Sequence, residues 1–165
     1  MFYRRNWIAV MVVILGLVMF VPVAQAERQE FECITCNTET YNYVHSSPGV
    51  LVVSSDAKSI FQSTHPSKLF DNWTRHMVYV RKRVEGKASW SGFTKEMGPD
   101  GDFIIWEFYG DSESGESTTK AVYGTGKWKG VKGERKAKAF TKGKPIVQGT
   151  SQFCDRIVGW IELPK

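Results

Sequence analysis

Histidine and cysteine are scarce in this chain of 165 residues, which has three of each. Zinc sites need a second ligand pair, and Cys33 and Cys36 have no partner pair at a suitable spacing. Complete catalytic and cofactor motifs are also lacking, as are internal repeats and low-complexity tracts. Apolar residues at helical spacing are nearly absent. The sequence therefore predicts no metal and no cofactor, and it disfavours a helical fold.

The first 26 residues have the three parts of a secretory signal. Arg4 and Arg5 precede the apolar run 8–20, and Ala24-Gln25-Ala26 supplies a small-residue cleavage site. We expect cleavage before Glu27, so that residues 1–26 are a cleaved signal peptide. The sequence therefore predicts a secreted or periplasmic protein.

Cleavage would leave residues 27–165, which is about the size of one domain, and we predict a single β-barrel domain there. A retained membrane anchor is the alternative, because the low-charge stretch 7–24 is nearly long enough to cross a bilayer. Pro22 and the small-residue site favour removal, so we expect no membrane-spanning segment after cleavage. The formal net charge of +5 includes two arginines of the signal. This mildly basic balance predicts no nucleic-acid partner.

The mature chain reads as short strands separated by glycine- and proline-containing turns. This pattern predicts an all-β protein, a small antiparallel closed barrel of about eight strands. One helical turn is expected over 57–61, before His65-Pro66. The predicted strands are 50–54, 73–84, 87–96, 103–109, 117–123, 134–141 and 148–162.

The most distinctive segment, residues 123–133, reads Tyr-Gly-Thr-Gly-Lys-Trp-Lys-Gly-Val-Lys-Gly. It resembles the late hairpin of allene oxide cyclase and dirigent-like β-barrels. It is also similar to a group of small secreted bacterial proteins of undefined role, which share the Pro99–Phe103 and Gly143–Val147 segments. The resemblance implies a barrel whose glycines allow sharp turns and close approach, and whose aromatic residue plugs one end. No catalytic residue of the cyclases can be matched to a position here.

The three cysteines predict one disulfide in an oxidising compartment. Cys33 and Cys36 have the C-x-x-C spacing of a redox site, but the β-branched residues between them favour a strand. Side chains three residues apart on a strand point to opposite faces. We therefore expect Cys154 to bond to Cys33 or Cys36, because a closed sheet brings its first and last strands together. A Cys33–Cys36 bond with redox activity is the alternative.

Aromatic residues make up 13% of the chain and suggest a lined interior. The leading functional hypothesis is a non-catalytic barrel that binds a small apolar or aromatic ligand, or acts as a surface-interaction module. The alternative is a cyclase- or isomerase-like enzyme in which Glu107 transfers protons with His76 or Tyr123. The ligand-binding candidates are His76, Trp90, Trp106, Glu107, Tyr123 and Trp160.

Residues 127–144 form a basic segment with interleaved aromatic residues. The eight cations suggest a solvated outer face, or an envelope-adhesive protein whose partner is an anionic envelope surface. They are Lys127, Lys129, Lys132, Arg135, Lys136, Lys138, Lys142 and Lys144.

Overall fold

A computed structural model describes residues 27–163, which form eight antiparallel strands closed into one barrel. Each strand pairs with the next along the chain, and the last pairs with the first. This confirms the predicted all-β closed barrel, whereas the predicted signal peptide 1–26 lies outside the described residues. The strands are β1 Arg28–Ser47, β2 Val50–Ser63, β3 Thr74–Val84, β4 Lys87–Met97, β5 Phe103–Asp111, β6 Glu116–Gly124, β7 Lys132–Lys142 and β8 Thr150–Glu162.

Strand alternation decides which side chains enter the barrel. On β5, Ile104, Trp106 and Phe108 are buried while Glu107 and Tyr109 are exposed, as the period of two predicts. One early segment differs from expectation. The helical turn predicted over 57–61 is wrong, because these residues continue β2. The chain before residue 50, for which no complete strand was predicted, forms the long strand β1. Within residues 27–163, no helix is long and apolar enough to span a membrane.

The first and last strands meet, and a disulfide joins them. Cys36 of β1 lies directly opposite Cys154 of β8, their Cα atoms are 4.0 Å apart, and their sulfurs are bonded. Cys33 points to the opposite face of β1 and is buried as a free thiol. The predicted pairing of Cys154 with Cys33 or Cys36 is confirmed as Cys36–Cys154. This bond is compatible with an oxidising compartment.

The two ends of the barrel differ. Because the strands alternate in direction, the hairpins β1–β2, β3–β4, β5–β6 and β7–β8 share one end, which we call the mouth. The other connections lie at the opposite, closed end. An apolar cluster fills that end and includes Phe31, Phe61, Phe70, Trp73, Trp106, Trp128, Ile157 and Ile161.

The glycine-rich segment of the family resemblance forms part of this closed end. Trp128, in the 3-10 turn Gly126–Trp128, is buried and packs against Phe70 and Trp73, which confirms that an aromatic residue plugs one end. A Cβ on Gly124 would lie 2.2 Å from the Trp128 carbonyl oxygen. A Cβ on Gly126 would lie 2.1 Å from the Asp102 carboxylate, and its φ is +50°. The glycines are therefore required by close contact.

Candidate functional site

The interior above the apolar cluster is polar and contains two buried arginines. Arg135 of β7 donates to both carboxylate oxygens of Glu96 on β4, with Nη1 2.7 Å from Oε2. Its guanidinium also lies 4.2 Å from the centre of the Trp106 ring. Buried charges are tolerated when they are paired and hydrogen-bonded, and this fork geometry meets both conditions. The Arg135–Glu96 pair therefore forms a fixed layer across the barrel.

Arg75 of β3 is the second buried cation in this layer. It donates to Thr35 Oγ1 at 2.9 Å and to Asn37 Oδ1 at 2.5 Å. Its distance to Asp155 Oδ2 is 3.5 Å, and Asn37 donates to that same carboxylate oxygen at 3.0 Å. Burial raises the pKa of Asp155, and the charge of Arg75 opposes this rise without cancelling it. Arg75 thus lies farther from its carboxylate partner than Arg135 does from Glu96, and it relies more on neutral acceptors.

Between the charged layer and the mouth lies a cavity of about 230 Å³. Its walls combine aromatic rings with a few polar groups, which is the composition typical of small-molecule sites. Tyr79 and Phe108 pack edge to face at 5.8 Å, and the Trp90 indole N–H donates to Ser117 Oγ at 2.7 Å. The cavity reaches rim residues of the mouth, where Arg81 and Lys142 line it. Its apolar walls are Met77, Tyr79, Trp90, Phe108, Ala137 and Phe153.

Glu39 is the most deeply buried carboxylate of the cavity, with 1% of its surface exposed. The Tyr79 hydroxyl donates to Oε1 at 2.6 Å, and the Ser151 hydroxyl donates to Oε2. Arg81 Nη2 lies 3.9 Å from Oε1, at the rim. Burial by itself would raise the pKa of Glu39, but these hydroxyls and the nearby guanidinium outweigh it and lower the pKa. Glu39 is therefore an ionised carboxylate inside an aromatic cavity.

Tyr79 and Ser55 are the remaining polar residues around Glu39. Burial and the negative charge of Glu39 raise the pKa of Tyr79, so its hydroxyl stays protonated and acts as a donor. Ser55 faces Tyr79 across the β2–β3 pair and is buried, and its hydroxyl lies near enough to Glu39 to help lower the pKa of that carboxyl, although it forms no hydrogen bond of good geometry with the described residues. Buried polar groups are rarely left unpaired, and those that are need a physical explanation. The Ser55 hydroxyl can thus still form a hydrogen bond of good geometry that the described residues do not provide.

The structure places two of the six predicted ligand-binding residues inside the barrel. Trp90 lines the cavity, whereas Trp106 is buried lower, in the apolar cluster beneath Arg135. The inward direction of Trp106 follows from the alternation of β5.

The other four candidates lie on the outer wall, which corrects the expectation that they share an interior site. Glu107 is exposed opposite Lys120, and Tyr123 is exposed and packs near Phe103. Trp160 faces outward beneath Arg28, whose guanidinium is 4.4 Å from its ring. The reason is the alternation of side chains along a strand: the residues on either side of these positions point inward, so these side chains point outward.

His76 is also on the outer wall, half-exposed, with Nε2 2.6 Å from Asp56 Oδ2. It borders a broad, shallow hollow across β1 to β4, which is a surface depression outside the barrel. Proton transfer by Glu107 with His76 or Tyr123 inside the cavity is therefore excluded by position.

The basic segment is less uniform than the sequence indicates. Arg135 belongs to the interior, not to the outer face. Lys127 lies 2.6 Å from Asp100, while Lys136 and Lys138 both lie within 4 Å of Glu116. Three lysines of the segment thus lie beside carboxylates, with Lys136 and Lys138 sharing one.

Sequence reasoning missed the polar interior, because its residues read as surface residues. One signal could have identified the polar interior. The polar side chains at alternate positions of β1 lie an even number of residues from the apolar Phe31 and Cys33, so they face the same side of the strand. The missed residues are Thr35, Asn37, Glu39, Arg75, Tyr79, Glu96, Arg135, Ser151 and Asp155. Among residues 27–163, no three His, Cys, Asp or Glu side chains are grouped so as to hold a metal ion.

No protein-family model and no curated protein matches this chain. Among solved structures, the pterocarpan synthase dirigent protein PsPTS1 has a similar fold, with a TM-score of 0.52 and 12% identity over 86% of this chain and 98% of that chain. The pterocarpan synthase dirigent protein GePTS1 gives a TM-score of 0.52 and 10% identity over 84% of this chain and 93% of that chain. At such low identity the likeness concerns the fold alone, and the chain has a dirigent-like barrel fold.

Proposed function

We propose that this protein is exported and that its barrel binds one small aromatic molecule in the interior cavity, as a binding protein and not as an enzyme. The observation that carries the proposal is the cavity of about 230 Å³, walled by Trp90, Phe108 and Tyr79 and containing the ionised Glu39. Ligand cavities usually span about 300 to 1,000 Å³, so this one suits a molecule built on a single ring.

The polar side of the cavity specifies the ligand further. An ionised carboxylate accepts hydrogen bonds only, and the Ser55 hydroxyl beside Tyr79 and Glu39 has no well-formed hydrogen bond of its own among the described residues. A ligand hydroxyl would satisfy such groups, since it both donates and accepts. The proposed ligand is therefore a single-ring aromatic molecule that carries a hydroxyl group.

Two further observations support a small-molecule role. Arg81 and Lys142 line the cavity near the mouth, so a ligand would reach the interior without opening the strands. The two dirigent structures are named pterocarpan synthases, which supports a small-molecule role for a barrel of this fold. The Cys36–Cys154 disulfide supports export.

A cavity-filling variant tests the proposal. Ala137 lines the cavity, and the next residue of β7, Lys138, points outward. Phenol, benzyl alcohol and cyclohexanol are titrated while the indole N–H resonance of Trp90 is followed by NMR. We expect phenol and benzyl alcohol to shift this resonance in saturable fashion, and cyclohexanol to bind more weakly.

The matched pair of variants then locates the binding. Ala137→Trp should abolish the saturable shift, because the new ring occupies the cavity, whereas Lys138→Trp should retain it. If no aromatic probe binds the folded protein, or if Ala137→Trp binds like the parent, the proposal is wrong.

A further inference from the structure

Two neighbouring hairpins at the mouth carry exposed apolar side chains: Tyr43 and Val44 lie on β1 a few residues before its turn, and Ile146 and Val147 lie in the β7–β8 connection. Ile146 is 91% exposed, Val44 66%, Tyr43 63% and Val147 62%. We call these four residues the apolar tip. Scattered exposed apolar residues are ordinary, but here four gather at the same end of one barrel.

The two hairpins are held side by side. β1 and β8 are paired, and the backbone N–H of Tyr41 donates to the Gly149 carbonyl at 2.8 Å. Tyr41 and Tyr43 also pack edge to face at 5.7 Å. The β7–β8 connection is therefore tied to β1 close to Tyr43, so the four residues of the apolar tip lie at the same end of the barrel.

Positive charge flanks the apolar tip on both sides. Lys82 and Arg83 of β3 lie opposite Val52 and Leu51 beside the β1–β2 hairpin. Lys142 is the last residue of β7, and Lys144 belongs to the β7–β8 connection itself. Within residues 27–163, none of these four cations forms an ion pair, unlike the paired lysines farther along β7. This side of the mouth is thus apolar at its tip and cationic at its flanks.

The acidic groups of the mouth lie elsewhere. The β5–β6 hairpin carries Asp111, Glu113 and Glu116, and in the barrel order it stands opposite the β1–β2 hairpin. Glu85, in the β3–β4 turn, is the acidic group on the cationic side. In the part of the chain that the structure describes, the mouth therefore has one side with exposed apolar residues and unpaired cations, and another side where acidic groups are paired with lysines.

We propose that the mouth of the barrel docks onto an anionic lipid bilayer, with the apolar tip in the headgroup region and the flanking cations on the anionic headgroups. Exposed apolar side chains at one end of the barrel enter a lipid interface without a complementary groove, whereas a protein partner would have to provide one. Tyrosine suits this depth, because it has an apolar ring and a polar end. Lysine and arginine next to an anionic leaflet add to the affinity.

The docked orientation would tilt the barrel and keep the acidic β5–β6 hairpin away from the lipid surface. It would also bring the cavity rim, where Arg81 and Lys142 stand, close to the bilayer. This inference concerns the outer surface and holds whether or not the cavity binds an aromatic molecule.

Sedimentation with lipid vesicles tests the proposal. Mature protein with its disulfide intact is mixed with vesicles of phosphatidylcholine alone and of phosphatidylcholine with phosphatidylglycerol. We expect binding to the mixed vesicles, weakened by salt, and little binding to phosphatidylcholine alone. Ile146→Ser with Val147→Ser should lower the partition coefficient about tenfold. Lys142→Gln with Lys144→Gln should lower it roughly fivefold for each lysine.

A matched control uses the apolar residues of the outer wall. Phe93 and Val158 are exposed to a similar degree as Val147, but they lie on strands away from the mouth. Phe93→Ser with Val158→Ser should leave vesicle binding unchanged. Every variant is first checked by thermal unfolding. The variant with both Ile146→Ser and Val147→Ser should bind aromatic probes like the parent, which separates this proposal from the cavity proposal.

Three outcomes would overturn the inference. The first is absence of binding to mixed vesicles, and the second is binding that the wall variant weakens and the tip variant does not. The third is a lipid-free dimer, detected by light scattering, that Ile146→Ser with Val147→Ser dissociates. That result would identify a second copy of the chain as the occupant of the apolar tip.

Discussion

Replacing Cys36 and Cys154 together by serine should lower the free energy of unfolding by about 5 kcal/mol. The disulfide joins residues 118 positions apart, so its loss releases a very long loop in the unfolded chain. For a loop of that length, the chain-entropy relation gives about 5 kcal/mol at 25 °C. The folded state should change little, because β1 and β8 remain paired along their length.

Urea unfolding followed by tryptophan fluorescence measures this loss. With a slope near 2 kcal/mol per M, the midpoint should fall by roughly 2.5 M. The slope itself should rise, because the unlinked unfolded chain exposes more surface. Cys33→Ala is the control, since it removes the free buried thiol and leaves the disulfide intact.

The reasoning would be refuted by a double serine variant whose midpoint matches the parent. It would also be refuted if Cys33→Ala were the more damaging change. A parent protein whose peptide map shows Cys33 bonded to Cys36 would contradict the disulfide itself.

Three further predictions follow from the interior and the closed end. The pKa of Glu39 in the folded protein is below its ordinary value of 4.5, so the ionised carboxylate stabilises the fold fully above pH 4.5, and this contribution is lost as pH falls through the folded pKa. Glu39→Gln should therefore flatten the acid side of a plot of unfolding free energy against pH. Burial raises the pKa of Cys33 to about 12, so native protein should resist iodoacetamide, and labelling in native conditions as fast as in urea would contradict this. Gly124→Ala should lower the free energy of unfolding by about 1 to 3 kcal/mol because its Cβ would strike the Trp128 carbonyl, whereas Gly143→Ala, with nothing nearer than 3.7 Å, should have little effect in urea unfolding.

The barrel was predictable from sequence where apolar and polar residues alternate plainly. The β5 segment is the clearest case, since its alternation puts Trp106 and Glu107 on opposite faces, although both were expected among the ligand-binding residues. The resemblance of residues 123–133 to dirigent-like barrels likewise implied a close-packed turn with an aromatic plug, which Trp128 provides. The cysteine positions predicted that the first and last strands meet, and the Cys36–Cys154 bond confirms it.

The candidate site could not be predicted, because its inward residues are polar. Thr35, Asn37 and Glu39 occupy inward positions of β1, so the strand shows no apolar alternation there and reads as irregular. Arg135 reads as one of many surface cations, and its burial becomes evident only when Glu96 of β4 is placed beside it. Pairing of charges across distant strands is a property of the closed barrel and not of local sequence.

The most direct test of the proposed function is the affinity of the intact, disulfide-bonded protein for phenol and benzyl alcohol, compared between Ala137→Trp and Lys138→Trp. The account predicts saturable binding at one site per chain, seen at the Trp90 indole resonance, abolished by Ala137→Trp and kept by Lys138→Trp. Equal binding by both folded variants, or no binding by the parent, would contradict it.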